Sequence, residues 1–118
     1  MKMNYFVVGT NDMDASKTFY NALFEGAGLQ VMFPSDRMTY WIGEEFAFAT
    51  AIPFDKEPAT NGNGTMVGFC VGDREDVKRM YELALELGGK CEGAPTQRGP
   101  KFSSYVRDLD ENKLCFSD

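Results

Sequence analysis

No histidine occurs in the 118-residue chain, and that bounds its chemistry before any motif is read. The commonest general base is missing. The Ser–His and Cys–His nucleophile pairs are missing with it, as is the commonest metal ligand. The thiols are Cys70, Cys91 and Cys115. Cys70 reads as part of a buried strand and Cys91 as close to a strand start. With no imidazole to lower a thiol pKa, neither reads as a prepared nucleophile. Asp108 and Asp110 have the types of an acid–base carboxylate pair. They sit in DLDEN, a segment where Asp serves local turn hydrogen bonds, and the turn role is preferred.

What remains is recognition by rings. Ten Phe, five Tyr and one Trp imply a ring-rich core, a ring-lined cavity, or both. Tyr5 would offer a phenolic hydroxyl to such a cavity, or act as a core Tyr with a backbone partner. Tyr40 and Trp41 are neighbours on an expected strand, so one faces a cavity and the other the helix layer or solvent. Phe102 and Tyr105 have opposite parity on another strand, which turns only one of them inward if it is regular. Arg98, in TQRGPKF, reads as a residue of a mobile Gly/Pro loop. It could hold an anionic group or be a solvated surface residue, and Arg37 is its counterpart in the first half.

The formal net charge is −6. That argues against nucleic acid, which needs clustered Lys and Arg. It allows a cationic ligand through long-range attraction, and it also suits a plain acidic surface that keeps a protein soluble. No apolar run approaches the ~18 residues of a transmembrane helix, and MKMNYFVVG has no signal-peptide pattern. An odd, scattered cysteine count is no disulfide framework and suits a reducing cytosol. The expected location is cytoplasmic.

The elements that must position these residues repeat. Residues 4–9 read as a strand. Thr10, Asn11 and Asp12 are helix caps, residues 13–24 a helix with Phe19, Ala22 and Leu23 on one face, and Gly26 and Gly28 its stop. Strands follow at 29–33, 39–42 and 46–52. After an unpatterned stretch rich in Gly and Pro the series starts again. A strand at 64–71, the cap Asp73, a helix at 74–87 closed by Gly88-Gly89, and strands at 90–94, 101–106 and 113–117 complete it. Glu75 and Arg79 are spaced as a favourable i, i+4 pair. The halves align without a gap at an offset of 61, Asp12 on Asp73, Tyr20 on Tyr81 and Gly28 on Gly89. A fixed period of this kind marks a repeated structural unit. The expected organisation is one domain, 1–118, with module one at 1–53, a linker at 54–63 and module two at 64–118. The fold class is α+β, two βαβββ modules whose sheets bury their free faces on each other as an incomplete eight-stranded barrel around a central cavity.

VVGTNDMDASKTFYNALF, NGNGTMVGFCVGDREDV and YVRDLDENKLCF, in this order, resemble three segments of the vicinal oxygen chelate superfamily: its opening strand–cap–helix, the start of its second unit, and its closing hairpin. Glyoxalases, bleomycin-resistance proteins and extradiol dioxygenases belong to it. With the repeat, the resemblance covers essentially the whole chain and implies the same paired-module fold. In metal-dependent members the ligands lie on the first and last strands of each unit. The first-strand positions, His in close relatives, are here Tyr5 and Met66. The last-strand positions fall on Phe48 and Cys115, with Thr50 and Ser117 next on the same strand face. Those four side chains suit no hard divalent ion. Met66 with Cys115 would suit only Cu(I), and space-filling is the preferred role of both. The closing turn has Leu109 where the family has Pro and Glu111 where it has Gly, so Glu111 is strained if that turn needs positive φ.

The resulting expectation is a metal-free, cofactor-free binding protein of the bleomycin-resistance type, with no catalytic residue assigned. Its cavity draws on Tyr5, Tyr40, Trp41, Phe48 and Thr50 from the first module. The second contributes Met66, Arg98, Phe102, Tyr105 and Cys115. The ligand is small, partly apolar and, from the charge, cationic. One alternative is a glyoxalase- or dioxygenase-type lyase or oxidoreductase with an atypical metal site, for which Glu44, Glu45 and Asp118 are the carboxylates to test. The other is a non-catalytic protein whose cavity Tyr5, Phe48 and Met66 fill. A homodimer is expected in every case.

Overall fold

The computed structural model describes residues 1–118. The first half holds β1 (Tyr5–Gly9), α1 (Met13–Phe24), β2 (Gln30–Met32), β3 (Met38–Ile42) and β4 (Ala47–Ala51). The second holds β5 (Val67–Cys70), α2 (Arg74–Glu86), β6 (Lys90–Arg98), β7 (Lys101–Arg107) and β8 (Lys113–Ser117). Two compact units result, Met1–Asn61 and Gly62–Asp118. The sheet orders are β1-β4-β3-β2 and β5-β8-β7-β6. In each, the first strand runs parallel to the last and the other pairs are antiparallel. The chain is therefore α+β, built of two βαβββ modules, and neither sheet closes on itself.

Local chemistry starts and stops the helices. Asp12 caps α1 by accepting the Ala15 N–H at 3.0 Å, which satisfies one of the orphan donors of the first turn. α2 starts with a reciprocal box. Asp73 accepts the Asp76 N–H and Asp76 accepts the Asp73 N–H, each at 3.0 Å. It ends at Gly88 (φ 101°), whose N–H bonds the Leu85 carbonyl while Gly89 N–H bonds that of Ala84. That is the Schellman pattern, and it needs the left-handed residue that glycine supplies. The expected Glu75–Arg79 pair does not form. Arg79 bonds Asp76 at 2.8 Å and Lys78 bonds Glu75 at 3.0 Å, both at i, i+3, because the capping box already holds the Asp76 carboxylate within reach of Arg79.

The stretch after β4 is tied down although its sequence shows no pattern. Asn11 clasps the Ala59 backbone, donating to its carbonyl at 3.1 Å and accepting its N–H at 2.7 Å. Gly9 lies so close that a Cβ there would come within 2.8 Å of Ala59 Cβ. In the closing hairpin Glu111 has φ 67°, the strain that the missing glycine implies. The turn holds because the buried Asp108 accepts the N–H groups of Asp110 and Asn112 at 2.8 and 2.9 Å.

Candidate functional site

Strand pairing sorts the side chains of each sheet onto two faces, one packed on the module's own helix and one turned away from it. In the first module Trp41, Phe48 and Val31 share a row, as do Thr39 and Thr50. Both rows face α1. Trp41 is 1% exposed and donates its indole N–H to Asn21 Oδ1 at 2.9 Å. Its ring and that of Phe48 pack on Tyr20 and Phe24. Thr50 accepts the Ser16 hydroxyl at 2.8 Å. In the second module Phe102 lies on the helix side, with the Arg74 and Lys78 charges of α2 5.0 and 5.9 Å from its ring centroid.

These placements correct the expected cavity. Trp41, Phe48, Thr50 and Phe102 do not line a helix-free face; they are the seats on which the helices pack. The resemblance puts Phe48 and Cys115 at equivalent last-strand positions. The ladders put Ala49, not Phe48, in the place of Cys115: Ala49 pairs Tyr40 as Cys115 pairs Tyr105. A shift of one residue along a strand exchanges the faces.

The helix-free faces hold Tyr5 and Tyr40 in the first module, and Tyr105 and Cys115 in the second. Met66 immediately precedes β5 and is exposed. In the first module the face is apolar: Tyr5 and Val7 on β1, Ala47, Ala49 and Ala51 on β4, Tyr40 and Ile42 on β3. Tyr5 meets Tyr40 edge-on, their centroids 6.0 Å apart. Arg37 lies at the end of this sheet, 5.5 Å from the Phe54 ring.

In the second module the same face is polar. Tyr105 and Cys115 pair across β7 and β8, flanked by Ser103, Ser117, Arg107 and Lys113. Arg98 does not sit in a mobile loop. It ends β6, opposite Lys101, beside the two-residue turn Gly99-Pro100, where Gly99 (φ 57°) supplies the positive φ that such turns need. Its guanidinium reaches back over the sheet and donates to the carbonyls of Ser103 and Ala94. It lies 4.9 Å from the Tyr105 ring centroid, and Lys113 Nζ lies 5.1 Å from the same centroid. Gly93, opposite Tyr105 on β6, makes the room: a Cβ there would come within 2.9 Å of the Tyr105 ring and 3.0 Å of the guanidinium. Arg107 is spoken for by Glu92 at 2.9 Å, which holds that carboxyl below its usual range. Burial pushes the Cys115 thiol up, against the opposing pull of the Tyr105 hydroxyl and of the Arg98 and Lys113 charges. The side chain is thus a protonated thiol at neutral pH. Cys70, expected in a buried strand, is exposed on β5. It lies on the helix-free face, one pleat from Gly68, which pairs Cys115.

Gly93, Arg107 and Lys113 join the site only in the structure. Arg107 and Lys113 carried a legible signal, since they alternate with Tyr105 and Cys115. Gly93 carried none, because its role depends on where Arg98 folds back.

The metal that the fold family implies does not fit these residues. On the helix-free face of the first module the strands β1 and β4 offer one phenol among methyls and a glycine. The second offers thiols, a thioether and a hydroxyl. No three His, Cys, Asp or Glu side chains gather anywhere. This donor chemistry suits no hard divalent ion.

The family model for the Glyoxalase/Bleomycin resistance protein/Dioxygenase superfamily matches residues 2–116, and the chain belongs to that superfamily. A glyoxalase/bleomycin resistance protein from Albidiferax ferrireducens T118 is similar at 30% identity, over 97% of this chain and 95% of its own, with a TM-score of 0.88. A glyoxalase-related enzyme from Fulvimarina pelagi shares the fold at 20% identity, 97% and 85% coverage and a TM-score of 0.80. A lactoylglutathione lyase from Agrobacterium tumefaciens shares it at 18% identity, 97% and 90% coverage and a TM-score of 0.69. No curated protein is similar enough to match. No helix is long and apolar enough to cross a membrane.

Proposed function

We propose that the protein binds a small organic molecule without a metal, against the helix-free face of its second sheet. The observation that carries this reading is the Tyr105 group. A half-buried ring is held between two cations, beside a thiol and hydroxyls, in space that Gly93 keeps clear. Such a surface offers stacking, charge and hydrogen bonds. It offers no imidazole base, and burial pushes up the Cys115 thiol that lies beside the ring. Superfamily membership supports the reading, because the family takes its name in part from bleomycin resistance proteins.

Native mass spectrometry of protein purified without added metal or a metal-chelating step tests it. The expected mass is protein plus a small organic adduct. A stoichiometric transition metal instead would overturn metal independence and direct attention to the sulfur atoms of Met66 and Cys115.

A further inference from the structure

Resting on the binding reading above, we infer that the ligand carries an anionic group, a carboxylate or a phosphate, which docks at Arg98 and Lys113 beside the Tyr105 ring. The chain as a whole is acidic, with 18 Asp and Glu against 12 Lys and Arg. Yet neither of these cations forms an ion pair. The ion pairs of the second module go to Lys78, Arg79, Lys90 and Arg107. Lys113 Nζ forms no ion pair; it lies over the Tyr105 ring, and its charge is felt by the Cys115 thiol and, after Arg107, by the Glu92 carboxylate. Arg98 spends two of its donors on carbonyls. A guanidinium has five N–H groups, so three remain.

Both cations lie near one ring centroid, which puts them within about 10 Å of each other, a separation of about one Debye length at 0.1 M salt. Two like charges at that range repel, and a shared anion relieves the repulsion. The arrangement is also built in advance. Two carbonyls fix the guanidinium plane, and Gly93 gives it space that any side chain would take. A fixed guanidinium loses little freedom on binding and matches the two oxygens of a carboxylate or phosphate. The cationic ligand that the net charge favours would meet like charge here. The one carboxylate beside this group, Glu92, is already bonded to Arg107. A sum over the chain does not describe the field at one face.

Titration of the full chain with benzoate, phenyl phosphate and the neutral benzamide, followed by NMR shifts at Arg98, Tyr105 and Lys113, tests the inference. At least one anion is expected to bind saturably at these residues, about tenfold or more tighter than benzamide, and to weaken as salt is raised. The tighter of the two anions tells carboxylate from phosphate. Lys113→Gln is expected to lose about tenfold in affinity, with Lys113→Arg restoring most of it. An unchanged melting temperature of each variant shows that folding is intact. Benzamide binding as tightly as benzoate, with Lys113→Gln without effect, overturns the anionic class and leaves the binding reading standing. No saturable binding by any of the three to millimolar concentration also overturns the inference; the adduct seen by native mass spectrometry then decides the binding reading independently.

Discussion

The two modules are one scaffold used in opposite ways. The ladders of β1, β3 and β4 match those of β5, β7 and β8 position by position, so a side chain paired there in one module has a counterpart in the other. Against the helix, the first module packs rings: Tyr20, Phe24, Trp41 and Phe48 are all within 2% of full burial. The second mixes rings and aliphatic chains there, with Val77, Met80, Val106 and Leu114 equally buried beside the Phe116 ring. Both choices satisfy the same demand, an apolar seat for an amphipathic helix. On the other face the modules part company. Ala47, Ala49 and Ala51 of the first stand where the second has Lys113, Cys115 and Ser117. Ile42 and Met38 stand where it has Arg107 and Ser103. Tyr40 and Tyr105 alone keep their type. The two copies agree on an apolar helix side and differ in the chemistry of the helix-free side.

The largest effects should come from the two cores. Phe48→Ala is expected to cost about 4 kcal/mol and Leu114→Ala, at the equivalent place, about 3 kcal/mol, the difference following the side-chain volume removed. Urea denaturation midpoints give both. A Leu114 loss larger than that of Phe48 would mean that the aromatic core is not the tighter of the two.

Next come the buried hydroxyls, where the modules should respond with opposite signs. Thr50→Val strands the Ser16 hydroxyl, now bonded at 2.8 Å, and should cost about 1–2 kcal/mol. Ser104 is buried on the helix side of β7 and its hydroxyl has no partner. Ser104→Ala should therefore raise stability by about 1 kcal/mol. Thermal melts of the two variants moving in the same direction would break the contrast.

The smallest effect concerns acid. Arg79 and the Asp73 N–H hold the Asp76 carboxyl below its usual value. A carboxyl depressed in the folded state lends stability above its unfolded pKa and withdraws it as pH falls through the folded one. The α1 cap has no counterpart, since Ala15 stands where α2 has Asp76. Asp76→Asn should thus flatten the loss of melting temperature between about pH 5 and pH 2. Equal slopes for wild type and Asp76→Asn would show that the box does not set the acid limb.

How much was legible in advance follows the range of the forces involved. Caps, helix stripes and glycine stops act within a few residues, so both helices and the repeat could be read directly. The second strand of the second module reads from sequence as residues 90–94 but runs to Arg98. Its extension depends on pairing with Lys101–Arg107, and irregular pairing around Gly93 and Thr96 hides the alternation. The candidate site was half legible. Tyr5, Tyr40, Arg98, Tyr105 and Cys115 lie on helix-free faces, but Trp41, Phe48, Thr50 and Phe102 do not. An apolar ring suits a helix seat and a ligand wall equally, and only strand register tells them apart.

The amino-acid sequence by itself determined the α+β class, the duplicated module, and a chemistry without imidazole. Those properties are local or compositional. Tertiary structure alone decided which ring faces a helix. It brought Arg98 back over Tyr105 into the room left by Gly93, and it left Lys113 beside them without a direct ion pair. Each of these depends on side chains far apart along the chain meeting across hydrogen-bonded strands, a relation that spacing does not encode.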